Sequence, residues 1–422
     1  MKRFSIFIVA SLFLGFGTAA AQYTPWLYWI FLPQEQMDEI VGEASGEAAW
    51  RTVATINAYN RDRSPEEFTG TFFETQYVID QLKRVGLQGV EIVAYPGGEA
   101  WDAVKGDLWE IKPIRQKLAS YNDMVPMLAY GSPPTQQTGE LVWVGRGTTE
   151  DIRTAAVAGK IVVTEGNISS VHNEACLRQG ALGVIAIGVS RPAADLLELP
   201  WTSVAPRGRP PIPRGESARQ AETQPPAEPP QPKFGFCLPA REGEFLKRRL
   251  TAGEKITVSV KIESQKLPYD LENVVCLIAG TDPNAGEIIF SAHLFEGIVK
   301  QGANDNISGS AAILEVARTL QTLIAEGRLP RPKRTIRFLW GPEFSGTSLW
   351  VQANKAIMEK TLCNINMDMV GEWLTKCRAF MCLMRTTYGN AHYINDVMEN
   401  YYRYVGEGNR ERVQNRGMAN IV

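Results

Sequence analysis

Glu287-Ile288-Ile289-Phe290-Ser291-Ala292-His293 is the stretch on which the reading of this 422-residue chain turns. Six residues of strand character run without a break into an imidazole. Twelve positions further on, Asp305 stands in the turn GANDNISG (302–309), just ahead of a helical pattern. Two more acids sit where an apolar run stops: Glu343 after TIRFLW (335–340), and Asp368 in NINMDMVG (364–371). In open α/β sheets, ligands bind at the carboxyl ends of the strands. A neutral imidazole and carboxylates gathered at such an edge suit a divalent metal.

Each residue alone has a plainer reading. A single histidine near an apolar strand is commonly a satisfied structural residue. Asp305 could cap a helix, and Glu343 and Asp368 could be loop acids. Their shared placement at strand ends favours a metal site.

Outward from this core the pattern alternates strand and helix. Strands are expected at 273–278, 287–292, 335–340 and 362–367, and helices at 308–326 and 348–360. Such alternation implies α/β architecture, with a mainly parallel sheet covered by helices on both faces. Upstream, helical spacing covers 34–59 and 72–85, and a strand over 89–94 is expected to close at Pro96-Gly97-Gly98.

From about residue 138 the texture changes to short β-rich runs ending in glycine: GELVWVG, GKIVVTEG and LGVIAIG, with one helix over 173–179. This predicts a small, separately folded β-rich insert. Within it, residues 200–232 are rich in Pro, Gln, Glu and Arg and too poor in apolar groups to offset ordering entropy, so a flexible loop is expected. The resulting division is 1–21, 22–134, 135–262 (the insert) and 263–422. After Asp368 one helix is expected, then a polar tail. On this reading the last strands of the sheet are missing, leaving an unpaired edge.

Residues 1–21 read as a signal peptide. Lys2 and Arg3 precede an apolar stretch, and Ala19-Ala20-Ala21 offers a cleavage site after Ala21, which implies a secreted or periplasmic protein. The alternative is an uncleaved anchor continued by the apolar residues 26–32. With cleavage, no stable membrane association is expected. A formal charge of -2 gives no electrostatic footprint for nucleic acid. The six cysteines show no metal-binding spacing; Cys276 reads as a buried thiol, and Cys377 with Cys382 could form a bridge. The oligomeric state is left open.

Together, SAHL, GANDNISG, RTIRFLWGPEFSGT and NINMDMVG resemble the zinc aminopeptidases of metallopeptidase family twenty-eight, over about 273–371. The insert is similar to the protease-associated domain that many of these enzymes carry. The resemblance implies an exopeptidase acting on peptides. His293 and Asp368 would bind the first Zn2+, Asp305 would bridge to a second, and Glu343 would be the general base. It implies an aminopeptidase rather than a carboxypeptidase only by analogy, and the preferred side chain is open.

Three positions depart from the family pattern. Phe344 stands where a second acidic ligand is usual, and Phe295 where an aspartate orients the first histidine. No downstream segment matches the final histidine ligand. Glu296 and His392 are candidate substitutes. One metal site is therefore expected and the second is doubtful, which keeps open the alternative of a non-catalytic peptidase-fold protein acting as a binding module.

Overall fold

The computed structural model describes residues 31–59, 63–188, 196–205, 231–295, 302–374, 381–408 and 420–421. The expected leader at 1–21, Glu296, Cys377 and the Pro-rich stretch from 206 to 230 lie outside the described residues. The chain divides into two units, one formed by 39–377 and the other by 1–38 with 378–422.

Helices α1 (Gln34–Glu43) and α2 (Gly46–Tyr59) replace the single helix that spacing alone suggests over 34–59. The break is set by Ser45, whose hydroxyl accepts from Ala48 N at 3.1 Å and starts α2 as a cap. Helix α3 (Phe73–Arg84) buries Val78, Ile79 and Leu82 on one face. It hands over to β1 (Gln88–Lys112) and β2 (Gln116–Ser120).

Next come β3 (Thr135–Trp143), α4 (Thr149–Thr154), β4 (Ile161–Thr164), α5 (Ile168–Val171) with a π-type turn over His172–Arg178, and β5 (Gly183–Ile187). After the Pro-rich stretch the chain forms β6 (Phe234–Leu238), α6 (Ala240–Thr251), β7 (Thr257–Ile278) and β8 (Glu287–Phe295). Helix α7 (Gly309–Ala325), β9 (Thr335–Pro342), α8 (Ser345–Ala353), α9 (Lys355–Met358) and β10 (Thr361–Asn366) complete the layer.

These ten strands make one mixed sheet in which five of nine pairings are parallel. Its backbone is a long antiparallel ribbon of β1 against β7, paired from Gln88↔Leu277 to Lys112↔Thr257. At about 3.3 Å per residue, such a ribbon runs roughly 70 Å. The second half of β7 carries the parallel strands β9, β8 and β10, and its first half carries β3, β4, β5 and β6.

Two expectations are corrected here. The strand expected over 89–94 does not stop at Pro96-Gly97-Gly98, because the register shift between Pro96 and Gly98 absorbs these residues as a bulge. Gly97 is needed at that point, since a Cβ there would lie 2.8 Å from the Tyr269 ring. The insert's last strand and the strand at 273–278 are likewise one element, β7.

Both faces of the sheet are covered. Along β7 and β9, Val274, Cys276, Ile278, Phe338 and Trp340 point into the main core with residues of α2, α3 and α7, while Val275 and Leu339 point the other way, toward Trp350, Ile357 and Met358. This is the alternation a strand imposes. The segment expected to be β-rich has the same layering. Ile161, Val163, Ile185 and Leu246 of α6 belong to the main core, and Val162, Val184, Ile152 and Val171 to a second cluster. Burial pushes the Cys276 thiol up to about 12, as a buried inert cysteine requires.

In the other unit, α10 (Ile394–Gly408) is the main element, and β11 (Cys382–Leu383) pairs in parallel with β12 (Asn420–Ile421). The Tyr401 hydroxyl accepts from Phe31 N at 3.2 Å, and Glu399 pairs with Arg385 and Arg403. Among the described residues no helix is long and apolar enough to cross a membrane.

Candidate metal centre

Strands β10, β8 and β9 lie side by side and parallel, so their carboxyl ends form one edge. His293 is near the end of β8, Glu343 follows β9, Asp368 follows β10 by two residues, and Asp305 lies in the turn before α7. Glu343 and Asp368 therefore reach this edge from the two strands that flank β8.

His293 is 8 % exposed and its backbone is fixed from below. Its carbonyl accepts from the Ser310 hydroxyl at 2.9 Å, and the Ser310 carbonyl accepts from Trp340 Nε1 at 3.1 Å. The ring presents Nε2 to two carboxylates: Asp305 Oδ1 at 3.2 Å and Asp368 Oδ2 at 3.7 Å. One donor atom from each of the three residues falls within 4.8 Å of the others. Zinc bonds of about 2.0–2.2 Å in tetrahedral array put ligand atoms roughly 3.3–3.6 Å apart. The two distances from His293 Nε2 bracket that range, so the donor set fits a small divalent cation.

The loops carrying Asp305 and Asp368 are stitched together by residues that motif reading passes over. Asn306 Nδ2 donates to Met367 O at 2.8 Å, while its Oδ1 accepts from Gly309 N at 2.9 Å and from Met369 N at 3.1 Å. Ser308 Oγ accepts from Val370 N, and Asn304 Oδ1 from Gly371 N, both at 3.1 Å. Gly309 permits the close approach, because a Cβ there would lie 2.2 Å from Met367 O. The signal in the sequence was the amide density of the 302–309 turn, which reads equally well as an ordinary helix start.

Electrostatics agree with a cation-seeking site. Partial burial raises the Asp368 carboxyl above its usual range, the charges of Asp305 and Glu343 raise it further, and His293 opposes them. Three acids close enough to influence one another are costly without a positive partner.

Glu343 N donates to Phe295 O at 3.1 Å, and Glu343 O accepts from Ser345 N at 2.5 Å. Between them Phe344 takes φ +52°, a left-handed conformation uncommon for an aromatic residue, and is 79 % exposed. Met369, next to Asp368, also has φ +51°. Such strain concentrates at functional sites. Among the described residues, the set His293, Asp305 and Asp368 is the one that gathers donors for a metal. His392 belongs to the other unit, where its Nδ1 accepts from Ile394 N at 3.1 Å at the start of α10. His172 lies in the segment 135–262, buried.

This mixed α/β architecture is similar to that of solved aminopeptidases. A zinc aminopeptidase from Bacillus subtilis superposes with a TM-score of 0.55 at 17 % identity, covering 85 % of this chain and 76 % of that one. A peptidase M28 precursor from Shewanella amazonensis SB2B gives 0.58 at 14 % identity, covering 88 % and 80 %. Residues 273–420 match the model of Peptidase family M28. Over 125 residues the chain is 32 % identical to the aminopeptidase NAALADL1 of Rattus norvegicus, a match covering 28 % of this chain and 16 % of that relative.

Proposed function

We propose that the protein is an exported zinc-dependent exopeptidase of aminopeptidase type, which removes amino-terminal residues from peptides. The observation that carries this reading is the convergence of His293 Nε2, Asp305 and Asp368 on one point at the carboxyl edge of the sheet. These three residues would hold the cation. Zinc bound there supplies Lewis acidity, polarising the scissile carbonyl and bringing the pKa of a coordinated water to about 7.

The rest falls to the chain. Glu343, set on a turn fixed by Phe295 O, is the general base that takes a proton from the attacking water and returns it to the leaving amine. The segment 135–262 is read as a protease-associated insert, and residues 1–21 as a leader cut after Ala21. The partner is a peptide, not nucleic acid.

The aminopeptidase reading is tested with purified protein by metal analysis and by hydrolysis of aminoacyl p-nitroanilides against their N-acetylated forms. About one zinc per chain, with cleavage confined to free amino termini, is expected. Cleavage of the acetylated forms at equal rates sinks aminopeptidase specificity. Phe344, in the place of the usual second acid, favours a second reading as a non-catalytic binding module. A folded protein that takes up no zinc and cleaves neither form supports that alternative.

A further inference from the structure

We infer that Phe295 is a positioning residue for the metal centre, its main-chain carbonyl doing for His293 what a neighbouring carboxylate does in related sites. The inference rests on the metal-centre reading given above and assigns a role to a residue whose side chain carries no chemistry.

The geometry begins with a bulge. Along β8 and β9, His293 pairs with Gly341 but Phe295 pairs with Pro342, so Leu294 is an extra residue on β8. A bulge bends its strand and re-aims the groups beside it. Here the Phe295 carbonyl lies 3.2 Å from His293 Nδ1. A carbonyl oxygen only accepts, so this contact places a hydrogen on Nδ1. With the hydrogen there, the Nε2 lone pair faces Asp305 and Asp368, the orientation a metal ligand needs.

The same oxygen accepts from Glu343 N at 3.1 Å, using its second lone pair. One atom thus sets both the ring of the ligand and the turn of the base. What holds that atom is the side chain behind it. Phe295 is 3 % exposed; its ring meets Phe72 edge-on at 5.3 Å, and the Arg63 guanidinium lies 5.7 Å from its centre. Arg63 is itself tied to the buried carboxylate of Glu74. The aromatic ring at 295 is an anchor for its own carbonyl.

The test uses the full chain, with zinc affinity from competition against a chelating dye and the His293 tautomer from 15N chemical shifts. In the wild-type protein Nδ1 carries a hydrogen with and without zinc. Phe295→Ala raises the zinc dissociation constant at least about tenfold, in the range of changes to outer-shell partners of a metal ligand. Phe295→Leu, which restores bulk, stays within about threefold.

A wild-type His293 protonated on Nε2 alone in the metal-free protein overturns the assignment. So does a Phe295→Ala protein with a lower melting temperature but unchanged zinc affinity. If Phe295→Ala does not fold, the tautomer and the Phe295→Leu affinity decide. Wild-type protein that takes up no zinc defeats the proposed function instead, and the metal-free tautomer still decides the role of Phe295.

Discussion

Two buried histidines, His293 near the end of β8 and His172 in the turn that follows α5, are set by parts of one mixed sheet and are wired in opposite ways. His172 Nε2 accepts the Lys233 backbone N–H at 2.9 Å, so its lone pair is consumed by the fold. Burial holds its pKa below the usual histidine value, keeping it neutral. His293 donates from Nδ1 and turns Nε2 toward two partly exposed carboxylates.

The strand ends differ in the same sense. At the end of β4 the Thr164 hydroxyl donates to Gly145 O and accepts from Gly166 N, both at 2.9 Å, closing the turn on itself. At the carboxyl edge of β8 and β10, His293, Asp305 and Asp368 instead converge on one another. One architecture thus serves twice, and chemistry resides in the side chains set on it rather than in the fold itself.

The contrast can be broken by substitution. Replacing Glu343 with Gln removes the proton acceptor, and hydrolysis should fall by about 10²–10⁴ in turnover at unchanged zinc content. Undiminished turnover would remove Glu343 from the mechanism. Asp305→Ala should weaken zinc binding by at least about a hundredfold, more than loss of an outer partner costs. Full zinc occupancy in that variant argues against ligation by Asp305.

His172→Ala should do the reverse, lowering stability by about 2 kcal/mol through an unpaired buried amide and a cavity, with zinc affinity unchanged. If zinc affinity falls instead, the two histidines are not separate in role. Denaturant unfolding and metal titration of the same preparations give both numbers.

A fourth test concerns Glu272, a buried acid on β7 that accepts from Phe72 N at 3.2 Å. Burial lifts the Glu272 carboxyl to about 7, although the Thr75 hydroxyl and Phe72 N oppose the rise; Glu74 adds to it and Arg63 also opposes it. The folded state therefore binds a proton that the unfolded chain releases near 4.5. This contribution falls as pH rises from about 4.5 through about 7. Glu272→Gln should add on the order of 2 kcal/mol at pH 8 and much less at pH 5, measured by denaturant midpoints. An equal effect at both pH values contradicts the shift.

The smallest effect is expected from deleting residues 207–231, which should change stability by less than about 1 kcal/mol. A large fall in melting temperature would show that this segment does more than connect.

The gathering of His293, Asp305 and Asp368 at one sheet edge was legible because each follows a local pattern, an apolar run that stops or a turn that opens a helix. The α/β sheet with two covered faces was legible for the same reason, although four of its nine pairings are antiparallel. Pro96-Gly97-Gly98 misled because proline and glycine signal a turn locally, whereas the pairing of β1 with β7 across 20 or more residues per strand absorbs them. The bulge at Leu294 and the bonds of Asn306 were hidden likewise, since both are fixed by strands distant in sequence. Phe295 looked like a loss when judged by its side chain, because a motif records side chains and not carbonyls.

The β1–β7 ribbon has a bearing on how the molecule could be re-engineered. Because β3 pairs with the same strand that carries β9 further along, excising 135–262 would cut β7 itself and strip partners from one end of β1. Graft designers should therefore treat the two layers as a single casting. A smaller version of this protein needs a trimmed ribbon on both strands, in register, before any layer is removed.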